Sequence, residues 1–294
     1  GEDLKLWKPE NYGKKFYGPS TLRTGVEKSR NLMTVRIAQN IGINKIAKFA
    51  EELNIYENPE ELLSLSLGSS ETTLLKLTSA YCSFVNGGKL IIPKFIDRIQ
   101  DSEGNTIFNS ENRECEGCDQ ISYLSKRIPK IKNNFKQIIS KETAYQMTSI
   151  LEGTVKRGTA KGLRDLNLDL GGKTGTTNKN TDTWFVGFSS NYVIGVYVGY
   201  DEPSPLGKYE TGARTAMPIF KHFVKNAVKK DSARPFKIPQ GIKMLVVNSN
   251  TGERASYSDD SIIIEAFKVK DLVNNKIQYG NVDYISKQNI YKFY

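Results

Sequence analysis

Histidine is almost missing from this sequence: 294 residues carry only His222. Motifs that hold a metal with two histidines are therefore excluded. A serine–histidine triad would have to run through His222. That residue sits in Pro218-Ile-Phe-Lys-His-Phe-Val224, an amphipathic helix pattern, so its reading is structural. Cysteine is scarce too, with three residues. Cys82 lies in an apolar helical run and reads as a small buried hydrophobe. Cys115 and Cys118 form Cys-Glu-Gly-Cys in a polar loop, half of a zinc site with no second pair to complete it. A local disulfide and two free thiols both remain open for them. No run approaches the ~18 apolar residues that a membrane helix needs. The first residues, Gly-Glu-Asp-Leu-Lys, lack the basic-then-apolar layout of an export signal.

What is present describes an ordinary globular chain, 38% hydrophobic and 25% charged. The net charge of +10 comes from 42 basic and 32 acidic residues. The basic residues are scattered, with a cluster at Lys225, Lys229 and Lys230 closing a helix pattern. This is a solvated basic surface, without the aromatic or helix-turn-helix signature of a nucleic-acid module.

Residues 7–17 are rich in aromatics, Gly and Pro and read as a packed loop. A helix is expected from Thr21, with Leu32, Val35, Ala38 and Ile41 on one face, ending at Gly42. Asn44 can cap the next helix, which carries Ile46, Phe49, Ala50 and Leu53. A third follows residues 69–72, directs Leu74, Leu77, Tyr81 and Phe84 inward, and stops at Asn86-Gly87-Gly88. Residues 90–108 read as a hairpin around 101–105, and about 101–140 as an insertion loop. Helix returns over 143–151, with Gly153 and Gly158 at its exit. Strands follow at 171–177, 183–188 and 193–200, joined by short turns into an antiparallel meander. Gly195 and Gly199 share one face of the third strand, which suits close packing of a helix; the helix over about 213–229 is the expected partner. Residues 233–294 have weak strand signals and read as a tail of unknown role.

Gly172-Lys173-Thr174 is not a phosphate loop, because Asn167 stands where the first glycine is required and the segment leads into strands. As an edge strand facing a cleft it has different uses. Lys173 supplies a fixed positive charge, and Gly175 lets a substrate backbone approach. The hydroxyls of Thr174 and Thr176 suit a carboxylate, and a strand N–H suits the oxyanion of acyl transfer. Thr177 extends the same run. Lys-Thr-Gly is one of three motifs of penicillin-recognising serine enzymes, beside Ser-x-x-Lys and Ser-x-Asn. Ser29-Arg30-Asn31 supplies the weak Ser-x-Asn signal, in the right order for the opposite cleft wall. Alone, Ser29 reads as a helix cap.

With these motifs stand Trp7-Lys-Pro-Glu-Asn-Tyr-Gly, Tyr17-Gly-Pro-Ser-Thr-Leu-Arg, Lys28-Ser-Arg-Asn-Leu-Met-Thr-Val-Arg, Leu67-Gly-Ser-Ser-Glu-Thr-Thr, Ala80-Tyr-Cys-Ser-Phe-Val-Asn-Gly-Gly and Gly153-Thr-Val-Lys-Arg-Gly-Thr-Ala. Over residues 7–230 the chain resembles class A penicillin-binding proteins, the bifunctional peptidoglycan synthases. The resemblance implies an α+β fold, an antiparallel sheet flanked by helices as in β-lactamase-like transpeptidases, and incomplete on its N-terminal side. It implies a portion of the transpeptidase domain over 1–232. The activity implied is serine acyl transfer between peptidoglycan stem peptides, with β-lactams as further ligands and no cofactor. By the same resemblance Ser29, Asn31 and Lys173 are catalytic, and Thr174, Gly175, Thr176 and Thr177 bind substrate.

One departure is plain: no serine is followed three places later by lysine. In the family, that nucleophile, two strands, a glycosyltransferase domain and a membrane anchor precede Trp7. The expectations are therefore a chain inactive and poorly stable alone, and an exposed or mispacked Gly195/Gly199 face. Its partner would be the missing N-terminal half, its place the periplasmic face of the bacterial inner membrane. The alternative is a non-catalytic remnant or scaffold that binds peptidoglycan or a partner.

Overall fold

A computed structural model of the chain describes residues 7–110, 115–116, 130–132, 135–228, 234–256 and 258–273. Residues 7–20 form no helix or strand. Their aromatics do not make the packed loop expected: Tyr12 and Phe16 are exposed. Buried Asn11 anchors the segment instead, donating to Lys15 O at 2.8 Å and accepting from Leu32 N–H at 3.2 Å.

The single helix expected from Thr21 is two. α1 (Leu22–Glu27) is capped by the Thr21 hydroxyl, and α2 (Asn31–Ile41) begins beyond a break at residues 28–30. Gly42, at φ +97°, links α2 to α3 (Ile43–Glu52). Asn44 lies inside the first turn of α3, two positions past its N-cap Gly42, and accepts from Lys45 N–H at 2.9 Å. Val35, Ala38, Ala50 and Leu53 are buried as expected, whereas Ile41 and Phe49 are 44% and 41% exposed. α4 (Leu74–Val85) is capped by Thr73 and ends at Asn86. Gly88 has φ +91°, and a Cβ there would sit 1.9 Å from Ile139 O.

The expected hairpin is β1 (Arg98–Gln100) with β2 (Thr106–Asn109); β3 (Cys115–Glu116) pairs with β4 (Lys130–Ile131). Cys115 is disulfide-bonded and Cys82 is a free, half-buried thiol; Cys118 lies outside the described residues. α5 (Lys141–Lys156), capped by Ser140, runs past the expected end, so Gly153 is a helix residue. Its lack of a side chain is used sideways: a Cβ would fall 1.9 Å from Glu27 Oε1.

A 3-10 turn over Lys161–Leu166 leads to β5 (Gly171–Thr176), β6 (Asp182–Phe188) and β7 (Val193–Gly199), antiparallel in that order as the turns required. Then come α6 (Ala216–Ala227), β8 (Ile242–Asn248), β9 (Ile262–Lys268) and α7 (Val269–Val273). Lys229 and Lys230 lie outside the described residues; His222 sits on the exposed side of α6. β8 and β9 pair from Ile242↔Lys268 to Asn248↔Ile262, so the tail contains a hairpin.

Cross-strand partners share a face, which assigns the two sides of the meander. Phe185 and its partner Val196 point to α6, where Phe220 meets Phe185 edge-to-face at 4.9 Å. Leu163, Leu170, Ala216 and Val224 complete this core, with Ile194 and Val198 packed against it. α6 therefore covers the branched side chains of β7, not its glycines. The helix opposite Gly195 is α4: a Cβ on Gly195 would fall 2.1 Å from Thr78 Oγ1 and 2.9 Å from Leu74 Cδ1. Gly195 is accordingly half-buried. At Gly199 the nearest atoms to a would-be Cβ belong to Tyr197 and Asp182 of the sheet itself. Periodicity separated the faces correctly but could not say which helix covers which.

The core makes one stability prediction. Phe220→Ala removes a fully buried ring and should cost about 3–5 kcal/mol in urea unfolding. A loss below about 1 kcal/mol would show that α6 is not a core element.

Candidate active site

α1 is six residues long, and its ending is specific. Ser29 N–H donates to Val26 O at 3.1 Å and Arg30 N–H to Gly25 O at 2.9 Å. These are the paired bonds of a Schellman stop, whose left-handed residue is usually glycine. Here it is Ser29, at φ +54°. A non-glycine residue in that conformation carries strain that surrounding contacts must hold. Ser29 is therefore not the helix cap expected; it is the pivot between α1 and α2. Arg30 takes the N-cap position of α2 and Asn31 its first turn.

The pivot puts Ser29 against β5. Lys173 Nζ donates to Ser29 Oγ at 2.6 Å and to Thr174 O at 2.9 Å. The two motifs that the sequence set 144 residues apart thus meet directly. Lys173 shares its face of the sheet with Val186 and Gly195. Its burial pushes the ammonium pKa down from 10.5 to about 8. Because the folded pKa lies below the unfolded one, the unfolded chain binds more protons between about pH 8 and 10.5. The charged lysine thus lowers stability below about pH 8, and that penalty fades as pH rises toward 10.5.

The other side of β5 carries the hydroxyls. Thr174 Oγ1 lies 3.0 Å from Thr159 Oγ1, and Thr159 N–H donates to Glu27 O at 3.1 Å. Thr159 was quoted in the sequence only within a longer run, without a role; nothing in its spacing pointed at Thr174. Thr176 is exposed, its hydroxyl accepting from Gly212 N–H at 3.0 Å and keeping its own proton to donate. Thr177 faces inward along the turn: its Oγ1 pairs with Thr181 Oγ1 at 2.8 Å and accepts from Asp182 N–H at 2.9 Å. Gly175 has Trp184 as its cross-strand neighbour, 3.1 Å from a would-be Cβ. Asn31 does not join the Lys173 contact. Its Nδ2 donates to Glu10 O at 2.9 Å and ties α2 to the N-terminal loop. Among the described residues β5 pairs as a strand with β6 alone, so its outer edge has no second strand, although Gly172 O accepts from Thr154 Oγ1 at 2.6 Å and Thr174 O from Lys173 Nζ.

α1 is also clamped by charge. Arg23 is 4% exposed and Glu27 3%. Glu27 accepts from Arg157 Nε at 3.1 Å and from Arg23 Nη1 at 3.3 Å. Arg23 donates from Nη1 to Ser149 O and from Nη2 to Ser149 Oγ, both at 2.9 Å, and forms a two-point ion pair with Glu265. Burial by itself lowers the Arg23 pKa, but the hydrogen bond and charge of Glu265, with Glu27, outweigh it and raise the pKa.

An antiparallel sheet between helices, with a serine on a helix break and a Lys-Thr-Gly edge strand in contact, defines a class. The family model "Penicillin binding protein transpeptidase domain" matches residues 2–225, and the chain belongs to that family. Within it, the similarity is to penicillin-binding proteins of the 1A type. The chain is 42% identical over 291 residues to penicillin-binding protein 1A of Rickettsia conorii, covering 98% of this chain and 36% of that protein. It is 32% identical to penicillin-binding protein 1A of Pseudomonas aeruginosa, over 91% of this chain and 36% of that one. The crystal structure of penicillin-binding protein 1A from Haemophilus influenzae superposes with a TM-score of 0.75 at 28% identity, covering 91% of this chain and 42% of that chain. The Mycobacterium tuberculosis PonA1 structure in complex with penicillin V shares the fold, at a TM-score of 0.62 and 21% identity, covering 79% of this chain and 62% of that chain. The chain thus spans about a third of the length of its curated relatives.

Proposed function

We propose that this chain forms one wall of the active site of a peptidoglycan D,D-transpeptidase, an enzyme that cross-links stem peptides by serine acyl transfer and is acylated by penicillin. The observation that carries the reading is the 2.6 Å contact between Lys173 Nζ and Ser29 Oγ across the proposed cleft. A lysine with a lowered pKa is poised to steer charge and protons at a serine. Thr176, exposed on an open strand edge, grips the terminal carboxylate of the peptide, with Thr174 and Gly175 along the same edge. Asn31 holds the substrate amide and Thr177 shapes the end of the strand. The open edge also argues against a mere scaffold, in which β5 would be expected to lie collapsed on its neighbours.

No Ser-x-x-Lys occurs in the chain, so the nucleophile is supplied from outside residues 1–294. Its oxygen attacks the carbonyl carbon between two D-alanines, and the Thr176 N–H is half of the hole that receives the oxyanion. The C–N bond breaks, the departing D-alanine takes a proton, and an amine of a second stem peptide displaces the serine oxygen from the ester. In the whole protein an N-terminal anchor places this domain on the periplasmic face of the inner membrane. Residues 1–232 are the transpeptidase portion, interrupted by the excursion at about 101–140.

Labelling with a fluorescent penicillin tests the reading. The full-length protein should form a covalent adduct, and residues 1–294 alone should not. An unlabelled full-length protein would overturn the function, and a labelled lone chain would reveal a nucleophile within these residues.

A further inference from the structure

Glu265 is a carboxylate in the middle of the apolar strand Ile262-Ile-Ile-Glu-Ala-Phe-Lys268. Such a charge is unfavourable beside a packed interface unless it is paired. Its partner is Arg23 of α1, 242 residues away in sequence. A helix of six residues cannot hold its own conformation, so the placement of α1 comes from what surrounds it. The β8–β9 hairpin supplies two holds at the N-terminal end of α1. Thr21 Oγ1 donates to Ser249 O at 3.0 Å at the start of the helix, and Glu265 grips Arg23 two residues later. Arg23 passes the hold to Glu27 at 3.3 Å. Glu27 stands two residues before Ser29, and its carbonyl is bonded to Thr159, the partner of Thr174. The hairpin, which lies beyond the family-matched residues 2–225, thus connects through buried groups to both sides of β5.

We infer that the β8–β9 hairpin belongs to the acyl-transfer machinery, and that Glu265 is a positioning residue that sets Ser29 against Lys173 by fixing Arg23 and α1. The inference rests on the reading of the cleft given above. Glu265 touches no substrate; it acts through the helix, whose end places a strained serine. Ser29 must stay within hydrogen-bond reach of Lys173, and a displacement on the order of 1 Å is enough to lose a large part of the rate.

The test is a double-mutant cycle on the second-order rate of acylation by a fluorescent penicillin, in the full-length protein. Ser29→Ala should lower the rate about 100-fold, and Glu265→Gln about tenfold. Combined, they should fall no further than Ser29→Ala alone, because Glu265 acts through the hydroxyl already removed. A purely structural role predicts that the two losses multiply, and that outcome overturns the inference. So does an unchanged rate in Glu265→Gln when Ser29→Ala is impaired. An unchanged rate in Ser29→Ala overturns the cleft assignment itself, and this inference with it. If Glu265→Gln does not fold, Glu265→Asp keeps the charge on a shorter arm and should lose about threefold; no loss there overturns the inference equally.

Discussion

Lys173→Ala is expected to slow penicillin acylation of the full-length protein about 100- to 1,000-fold, while leaving its thermal midpoint unchanged or higher. The first part follows from the position of the ammonium group, 2.6 Å from Ser29 Oγ, on the wall of the proposed cleft. Preorganised charge at that place works in a low-dielectric site and is not replaced by water without loss. The second part follows from burial, which has already moved the pKa to about 8. Removing a charge that the fold accommodates at a loss does not destabilise it; a purely structural lysine would show the opposite pattern. Lys173→Arg separates charge from geometry. Arginine stays protonated throughout, so the decline of wild-type acylation above about pH 8 should disappear in that variant even if its rate is lower. A wild-type rate in Lys173→Ala would remove the central element of the proposed mechanism.

Glu27→Ala should cost about 3–5 kcal/mol in urea unfolding, the range for breaking a buried ion pair from one side. The carboxylate is hydrogen-bonded to Arg23 and Arg157, and both guanidinium groups would lose a partner while staying in place. Space offers no relief, because Gly153 and Gly158 are glycines where the α5 turn closes on Glu27: a Cβ at Gly158 would fall 2.3 Å from Glu27 O. The exposed pair Lys76–Glu57 is the control. Glu57→Ala should leave the unfolding curve unchanged, since surface pairs are screened by water and salt. An equally small effect of Glu27→Ala would mean that the charges around α1 are ornamental, and would weaken every argument that places Ser29 through them.

The meander and its order were legible because short turns between alternating strands leave little choice of topology, and Lys173-Thr-Gly stood out because few other roles suit that run. What escaped was set by tertiary contact. The break between α1 and α2 falls at Lys28-Ser29-Arg30, just before the apolar period that starts at Leu32, and no glycine marks it; the stop is made by a serine in a conformation it seldom takes. The pairing of Gly195 with α4 and not α6 could not be read from β7 alone, because both helices are amphipathic and both follow or precede the strand at workable distances. The network of Arg23, Glu27, Arg157 and Glu265 was invisible for a related reason. Four charges scattered over the sequence look like surface until the fold brings them together. Thr159 lies within the Gly153–Ala160 run, yet its use depends on where α5 ends.

The distance in sequence between Arg23 and Glu265 also bears on how the molecule comes to be made. Synthesis proceeds from the N-terminus at about 5–20 residues per second, so residue 265 leaves the ribosome on the order of ten or more seconds after residue 23. Until then α1 is too short to persist and its arginine has no strand to meet. If Glu265 sets α1 as inferred above, the wall that carries Ser29 is among the last parts of the chain to set. A polypeptide released early would carry Ser29 and the Lys173 strand without the carboxylate inferred to set them together.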